Sequence, residues 1–324
     1  SDVYRRGPDV HLYQVMCTAA GAIVAVSARA RVIVLWCALA AALPAPALAQ
    51  TPPAAQNPSP MAEATRVHER LTPKALAGTV RTFPGPAGKV VELWIPERAH
   101  RHEQFDLLIH FHGAAWIPQQ ASAAGKHASV VAVLNLGSGS GIYDRSFRDP
   151  AVFDSLLVAI TREVASTTQR TSVPGRLTLS GFSAGHGAIR AIIGEPRHEA
   201  RVHAILLLDG MHTSYVPEGR VLDAGGALDS TNLVAFAHFA RAARQGDKRF
   251  LVTHSEIFPG TFASTTETAE WLLRASGVKR RAVLRWGPRG MQQLSEARDG
   301  RFTLLGYAGN SAPDHIDQFH AMPE

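Results

Sequence analysis

The sequence predicts an α/β protein in which a mostly parallel sheet is flanked by helices in a three-layer sandwich. Two observations lead to this class. Short apolar runs alternate with amphipathic stretches from about residue 79 to the C-terminus, in the order expected of strands and helices around one sheet. The chain has 324 residues, of which 46% are hydrophobic and 19% charged, so one large core is within its reach.

The first 49 residues have the layout of an export signal. Arg29 and Arg31 precede an uninterrupted apolar run over residues 32–43, and the small residues Ala47 and Ala49 follow. A membrane-spanning helix needs about 20 apolar residues, so this run is too short for a permanent anchor. We therefore predict a cleaved leader over residues 1–49 and an exported protein with no stable membrane span after cleavage.

Cysteine content and charge exclude several classes of function. Both cysteines, Cys17 and Cys37, lie in the predicted leader, so cleavage leaves a mature chain without a disulfide or a thiolate metal site. The net charge of +6 is modest, and the basic residues are spread along the chain. This distribution is not typical of nucleic-acid-binding proteins, and no nucleic-acid partner is expected.

A proline-rich segment separates the leader from the remainder. Residues 50–60 combine prolines with Ala, Gln, Asn and Ser, a composition that does not pack into a core. We predict a linker over residues 50–69 and a single domain over residues 70–324.

The first half of this domain is predicted to be rich in strands. Residues 79–83 and 90–95 are predicted strands, and the Pro-Gly-rich run over residues 84–88 has the turn chemistry of a hairpin. Residues 105–112 and 130–136 are almost continuously apolar, which is typical of buried parallel strands.

Helices then alternate with strands. Asp149 is a candidate N-cap for a helix that begins at Pro150 and has apolar residues at helical spacing. The elements predicted after it are, in order, a strand at 177–179, a helix at 184–193, a strand at 202–208, a helix at 231–244, a strand at 250–253, a helix ending at Gly277 with a capping box of Ser264 and Glu267, and strands at 282–286 and 302–307.

A nucleophile motif lies between two of these elements. Gly181-Phe182-Ser183-Ala184-Gly185 has G-x-S-x-G spacing, and it follows a predicted strand and opens a predicted helix, as the motif requires. The serine of such a motif occupies a sharp, strained turn, and small residues two positions to either side relieve contact with the neighbouring strand and helix. We predict that Ser183 is a nucleophile presented at a helix N-terminus.

With this motif and this order of elements, the chain resembles the α/β-hydrolase superfamily from about residue 79 to the C-terminus. His112-Gly113-Ala114-Ala115 at the end of the third strand is similar to the HG-containing oxyanion loop of that family. The resemblance implies that backbone N–H groups of Ala114 and Ala184 hold the oxyanion. Because alanines replace the family's further glycines, which residue at or after Gly113 donates stays open.

The base and the acid are expected at strand ends, in the family's order of serine, acid and histidine. His315 follows the last strand and the turn-rich residues 309–313, in a predicted loop, and His320 is its rival. Asp209 and Glu256 compete for the acid, because each follows a predicted strand. We favour Asp209, since a carboxylate directly after an apolar strand lies at the edge of the sheet, within reach of His315.

The substrate surface is expected at the same edge. Trp116, Tyr143 and Phe258 each follow a predicted strand end, and we predict that they shape the substrate pocket. The glycine-rich residues 135–143 follow the fourth strand, and their glycines are suited to cradle an anion, although G-x-G spacing alone is a weak indication.

The resemblance implies acyl transfer to water by a Ser-His-acid triad through an acyl-enzyme, without a cofactor. We expect a carboxylic ester as substrate, either a small molecule with a short acyl group or a polymeric or carbohydrate ester. His110 and His112 alternate on one strand, but no further histidine cluster accompanies them, so no metal is expected. The alternatives are a serine peptidase, an acyltransferase, or a catalytically silent binding module with this fold.

Overall fold

The computed structural model describes residues 66–101, 104–125 and 128–324. The predicted leader and residues 50–65 of the predicted linker lie outside the described residues. Among the described residues, no helix combines the length and the apolar character that are needed to cross a bilayer.

Strands and helices alternate along most of the described chain. In chain order the strands are β1 (Gly78–Pro84), β2 (Val90–Pro96), β3 (Gln104–Phe111), β4 (Val130–Leu134), β5 (Val173–Phe182), β6 (Val202–Leu208), β7 (Tyr215–Val216), β8 (Ala227–Leu228), β9 (Arg249–His254), β10 (Arg281–Trp286), β11 (Gln292–Asp299) and β12 (Phe302–Tyr307). The helices are α1 (Trp116–Ala124), α2 (Ser140–Phe147), α3 (Pro150–Thr168), α4 (His186–Ile193), α5 (Pro196–Arg201), α6 (Val234–Gln245), α7 (Thr265–Ser276) and α8 (Ala312–His320).

Ten of the described strands form one sheet, in the order β1-β2-β4-β3-β5-β6-β9-β12-β11-β10. The central strands β4, β3, β5, β6, β9 and β12 run parallel to one another. Antiparallel pairs flank them at both edges. Because the central strands share one direction, their carboxyl ends meet at a single edge, where loops from many parts of the chain come together.

Helices cover both faces of this sheet. Alternate side chains of a strand point to opposite faces, and in β3 Ile109 packs into the large core that α3, α4, α6 and α7 complete. Its neighbour Leu108 packs on the other face with Ala123 of α1. On that face Phe319 of α8 packs against Ile117 of α1. The predicted three-layer α/β class, with a mostly parallel sheet between helices, is confirmed.

Local signals in the sequence account for several element ends. The side chain of Asp149 accepts a hydrogen bond from the N–H of Ala151 at 2.9 Å and so caps α3. Ser264 and Glu267 form the predicted capping box at the start of α7. The predicted hairpin at residues 84–88 joins β1 to β2 as an antiparallel pair.

Other elements differ from the prediction. The helices α1, α2, α5 and α8 and the strands β7, β8 and β11 are not predicted by the sequence pattern. Residues 312–320, for which we expect a loop, form α8, because Ser311 and Asp314 make a capping box and Pro313 is compatible with a first helical turn. His315 therefore lies on a helix, and its backbone N–H donates to the carbonyl of Ser311 at 3.1 Å.

Candidate active site

Ser183 lies in a strained turn between β5 and α4. Its φ angle is +48°, in the left-handed region that L-residues seldom adopt. A Cβ atom on Gly185 would lie 2.0 Å from the carbonyl oxygen of Phe111, and one on Gly181 would lie 3.0 Å from the carbonyl carbon of Gly185. Both glycines of the G-x-S-x-G motif are therefore required by close backbone contacts around the serine.

Two further residues are in close contact with the carbonyl group of Ser183. A Cβ atom on Gly210, just after β6, would lie 2.5 Å from the carbonyl oxygen of Ser183. The Nδ1 atom of His186, the first residue of α4, lies 2.9 Å from that same oxygen and donates to it. Burial lowers the pKa of His186 to about 3, so this imidazole is neutral at physiological pH.

Asp209 follows β6 directly and is 1% exposed. The Nδ1 atom of His315 donates a hydrogen bond of 2.8 Å to its Oδ2 atom. Ser255 donates from its backbone N–H at 2.9 Å and from its hydroxyl at 2.6 Å, and the Thr265 hydroxyl donates at 2.6 Å. The carboxylate is thus surrounded by donors.

The ionisation of Asp209 follows from these contacts. Burial opposes a charged carboxylate, but the hydrogen bonds from His315, Ser255 and Thr265 outweigh it and hold the pKa of Asp209 well below its usual range. Asp209 is therefore ionised at neutral pH and orients the ring of His315 through Nδ1.

Neither of the alternative candidates, Glu256 for the acid and His320 for the base, lies in contact with Asp209 or His315. Glu256 is exposed, and it borders a different cavity together with His254 and Arg280. The Nδ1 atom of His320 accepts the backbone N–H of Leu71 at 3.0 Å. Both residues therefore lie apart from the contact between Asp209 and His315.

Ser183 lines two cavities. The smaller cavity, of about 260 Å³, is lined by Ser183, Asp209, His315 and Phe262. The larger cavity, of about 420 Å³, is lined by Ser183, Ala184 and Phe262 and does not include His315. The serine thus borders both cavities, and His315 borders only the smaller one.

The loop after β3 carries the predicted oxyanion donors. The N–H of Gly113 is taken by the side chain of Asn135 at 2.8 Å, and the Asn135 amide in turn donates to the Gly113 carbonyl at 2.9 Å. Gly113 is therefore not free to donate to an oxyanion, which corrects its predicted place in the hole. The N–H groups of Ala114 and Ala184 have no hydrogen-bond partner among the described residues.

The predicted substrate-binding aromatics do not line either cavity. Tyr143 is fully buried on α2, where its hydroxyl lies 3.0 Å from Nδ1 of His112, so it has no surface for a substrate. Trp116 begins α1 and packs edge-on against the ring of His320. Phe258 is 47% exposed but borders neither cavity. The aromatic residue that lines both is Phe262, which no sequence motif singles out.

His110 and His112 do not converge on a common point. The ring nitrogens of His110 are engaged by the Ser180 hydroxyl at 3.0 Å and by the carbonyl of His112 at 2.9 Å. Burial lowers the pKa of His110 to about 3. This histidine links β3 to β5 and has no free nitrogen for a ligand.

One group of potential metal ligands occurs in the described part of the chain, formed by His68, Asp314 and Asp317 within 4.8 Å of one another. Arg66 pairs with both carboxylates, and its Nη1 atom lies 2.8 Å from Asp317. Arg70 adds an ion pair of 3.1 Å to Asp317. Arginines therefore supply the positive charge here, and this N-terminal strap, residues 66–70, is fastened to α8.

No family model matches this sequence, and no curated protein does. Among solved structures, an S-formylglutathione hydrolase from Agrobacterium tumefaciens is similar, with 12% identity over 76% of this chain and 94% of that chain and a TM-score of 0.42. An ester hydrolase from the metagenome of Lake Arreo has 15% identity over 79% and 85%, with a TM-score of 0.42.

Fungal esterase structures from Rhizomucor miehei give a similar result, with 15% identity over 63% of this chain and 70% of that chain and a TM-score of 0.35. At such low identities and scores, the fold assignment rests on the order and direction of the strands themselves.

Proposed function

We propose that the protein is a serine hydrolase that cleaves carboxylic esters, with Ser183 as nucleophile, His315 as base and Asp209 as acid. The observation that carries the proposal is the 2.8 Å hydrogen bond from Nδ1 of His315 to the buried, ionised Asp209, at the cavity that His315 shares with Ser183. The strained turn of Ser183 supports it, because strained residues concentrate at functional sites.

The proposed reaction begins with proton transfer. Since Nδ1 of His315 is committed to Asp209, Nε2 is the nitrogen left to take the proton from the Ser183 hydroxyl as its oxygen attacks the ester carbonyl. The imidazolium that forms is stabilised by the ionised carboxylate of Asp209. His315 then donates this proton to the departing alcohol, which leaves an acyl-enzyme on Ser183.

In the same scheme, backbone N–H groups hold the negative charge that develops on the carbonyl oxygen. We assign this role to Ala184, which follows the nucleophile, and to Ala114, whose loop is braced by the paired contacts of Asn135 with Gly113. Water, activated by His315, then releases the acid.

The space around Ser183 favours compact groups on both sides of the ester. Cavities of about 260 and 420 Å³ adjoin the serine; the larger is at the small end of the range of sites for small ligands, and the smaller lies just below that range. This space suits a small ester or the accessible end of a polymeric one.

We also propose export by the N-terminal leader, residues 1–49, on the strength of its two arginines, short apolar run and small residues. Expression of the full chain in a bacterial host tests this. N-terminal sequencing of the protein recovered outside the cytoplasm should show a new start near residue 50, and an uncleaved cytoplasmic product would contradict export.

The test of the enzyme is labelling by a fluorophosphonate probe with peptide mapping, alongside hydrolysis of p-nitrophenyl acetate and butyrate. We expect the adduct on Ser183, and Ser183→Ala should lose both labelling and turnover. A folded wild-type protein with neither property would favour the silent binding module. Product analysis with an added alcohol or a peptide substrate separates hydrolysis of esters from acyl transfer and from peptidase activity.

A further inference from the structure

A histidine with no part in the proposed mechanism lies beside Ser183. His212, in the loop after β6, lines both of the cavities that Ser183 borders. The larger of them, which we call the polar cavity, is lined in addition by Ser138, Ser140, Arg190, Ser214 and Asn232. Because His212 and Ser183 are shared by both cavities, His212 lies close to the ester carbonyl that the serine is proposed to attack.

The contacts of His212 decide which of its ring nitrogens is available. The Nδ1 atom lies 2.9 Å from the carbonyl oxygen of Ala263 and donates to it. Burial lowers the pKa of His212, so the ring carries a single N–H proton at neutral pH. Since Nδ1 holds that proton, Nε2 presents a lone pair and accepts a hydrogen bond instead of donating one.

This acceptor has no partner in the described part of the chain. The Nε2 atom of His212 makes no hydrogen bond to the described residues, and it is not one of the unpartnered polar atoms that are sealed from solvent. It is therefore open to the cavities. The ring itself is held by edge-on contacts with Phe262 and His186, whose ring centroids lie 5.0 and 5.6 Å away. His212 thus offers an acceptor in a fixed position beside Ser183.

Asn232 offers a second acceptor in the polar cavity. Its Nδ2 group donates to Oδ2 of Asp229 at 2.8 Å and to the hydroxyl oxygen of Thr213 at 3.1 Å, which fixes the orientation of the amide. Its Oδ1 atom makes no hydrogen bond to the described residues and is not sealed from solvent. A ligand group that satisfies these two acceptors must carry donors.

The charges around the polar cavity decide between the kinds of donor. None of the described aspartates and glutamates lines it, whereas Arg190 does, so an ammonium group would meet a cation and no carboxylate. A carboxylate group has no proton to give to Nε2 of His212. A hydroxyl is neutral, donates to such an acceptor and also accepts from the serine hydroxyls of the wall. The lining therefore fits a hydroxyl-bearing group.

The position of His315 decides which half of the ester enters the polar cavity. The departing alcohol must receive its proton from His315, which lines only the smaller cavity. The alcohol therefore belongs in the smaller cavity. The acyl chain, on the other side of Ser183, extends past His212 into the polar cavity.

We propose that His212 determines specificity by accepting a hydrogen bond from a hydroxyl group on the second or third carbon of the acyl chain, so that the preferred substrates are esters of hydroxy acids. The hydroxyl lies this close to the carbonyl because His212 borders both cavities at Ser183. The inference rests on the proposed function, because it names the substrate class of that reaction.

A pair of esters of equal size tests it: ethyl 3-hydroxybutanoate and ethyl 3-methylbutanoate, in which a methyl group replaces the hydroxyl. We expect kcat/KM of the wild type to favour the hydroxy ester by about fivefold to tenfold, in the range of one hydrogen bond. His212→Asn should bring the ratio to about one, since an asparagine amide can keep the donor to Ala263 but has no acceptor in place of Nε2. His320→Asn is the matched control, because His320 lines neither cavity, and it should keep the preference.

A second measurement depends neither on turnover nor on the folding of a His212 variant. In Ser183→Ala labelled with ¹⁵N-histidine, saturation with ethyl 3-hydroxybutanoate should move the Nε2 resonance of His212 upfield, as expected when this nitrogen accepts a hydrogen bond. Ethyl 3-methylbutanoate should leave the resonance in place. Equal effects of the two esters would contradict the contact.

A wild-type enzyme that hydrolyses both esters equally, or prefers the methyl ester, would overturn the inference while leaving the proposed function intact. So would a preference that survives in folded His212→Asn. A preference for 2-hydroxyethyl butanoate over propyl butanoate, with none for the hydroxy acid ester, would place the hydroxyl on the alcohol and overturn the acyl assignment. Absence of turnover and of fluorophosphonate labelling would instead overturn the proposed function.

Discussion

The Oδ2 atom of Asp209 accepts a hydrogen bond from Nδ1 of His315 at 2.8 Å, although 106 positions separate the two residues in the chain. The sheet explains this contact, because β6, β9 and β12 are neighbours and run parallel. Asp209 follows β6, Ser255 follows β9, and α8 follows β12, so all three carboxyl ends meet at one edge. Ser255 lies at the middle strand end and donates to the same carboxylate.

Replacement of His315 should remove catalysis without unfolding the protein. We expect His315→Ala to lower kcat by about 10⁴-fold or more, since the serine loses its base. The variant should keep the wild-type circular dichroism spectrum. His320→Gln is the control and should retain turnover, because His320 contacts Leu71 instead of the acid. Retained activity in His315→Ala would reject the assigned base.

Replacement of the acid distinguishes Asp209 from Glu256. Asp209 receives donors only, from His315, Ser255 and Thr265. An asparagine would turn its NH₂ group towards some of these donors and disturb the tautomer of His315, so Asp209→Asn should lower kcat by about 10⁴-fold. Glu256→Gln should change kcat little, as measured with p-nitrophenyl butyrate. The reverse ranking would assign the acid to Glu256.

The low pKa of Asp209 predicts a loss of stability in acid. Because the folded state holds this carboxyl deprotonated while the unfolded chain protonates it near pH 4, this contribution is complete above about pH 5. It falls as the pH drops below about 4, by at most ~1.4 kcal/mol per pH unit. Urea unfolding of wild type and Asp209→Asn between pH 6 and 3 measures this, and the difference in their free energies of unfolding should shift with pH in that direction. A pH-independent difference would contradict the ionised state.

A methyl group at Gly210 should displace Ser183, the proposed nucleophile. Its Cβ atom would lie 2.5 Å from the carbonyl oxygen of Ser183, so Gly210→Ala should lower both kcat and the free energy of unfolding, the latter by about 1–3 kcal/mol. Gly139→Ala is the stability control, since an added Cβ there meets nothing within 4 Å. Thermal unfolding checks both, and equal melting temperatures for the two variants would contradict the close contact.

The sequence was sufficient for features that depend on local chemistry. The turn at Ser183 was predictable because its glycines are needed for backbone contacts within the motif and with the adjoining strand. The hydrogen bonds of Ser255 and Thr265 to Asp209 were not predictable, because nothing in the local sequence marks a hydroxyl that donates to a carboxylate distant in the chain. Asn135 likewise gave no signal that it would occupy the N–H of Gly113.

Two kinds of polar segment also escaped prediction. The strand β11 carries no alternation of apolar and polar residues that would predict a strand. Its Glu296 is buried in the folded protein, where ion pairs with Arg281 and Arg285 from the adjacent β10 hold it. The short helix α2 begins in a Ser-Gly run that is typical of loops, and Tyr143 is buried because it lies on this helix. Both the pairing of charges across strands and the packing of a short helix depend on residues distant in the chain, so the local sequence does not predict them.

The ion pairs between the N-terminal strap, residues 66–70, and α8 determine how much of the chain must precede the first strand in an active protein. Asp317 lies two positions after His315, and it is held by Arg66, His68 and Arg70. A chain trimmed to start at Leu71 would keep every strand and helix described above, yet it would leave Asp317, on the helix that carries the proposed base His315, without the two arginines that pair with it. A protease that cuts the chain just before Leu71 would therefore remove these contacts from α8 and is expected to lower the proposed activity.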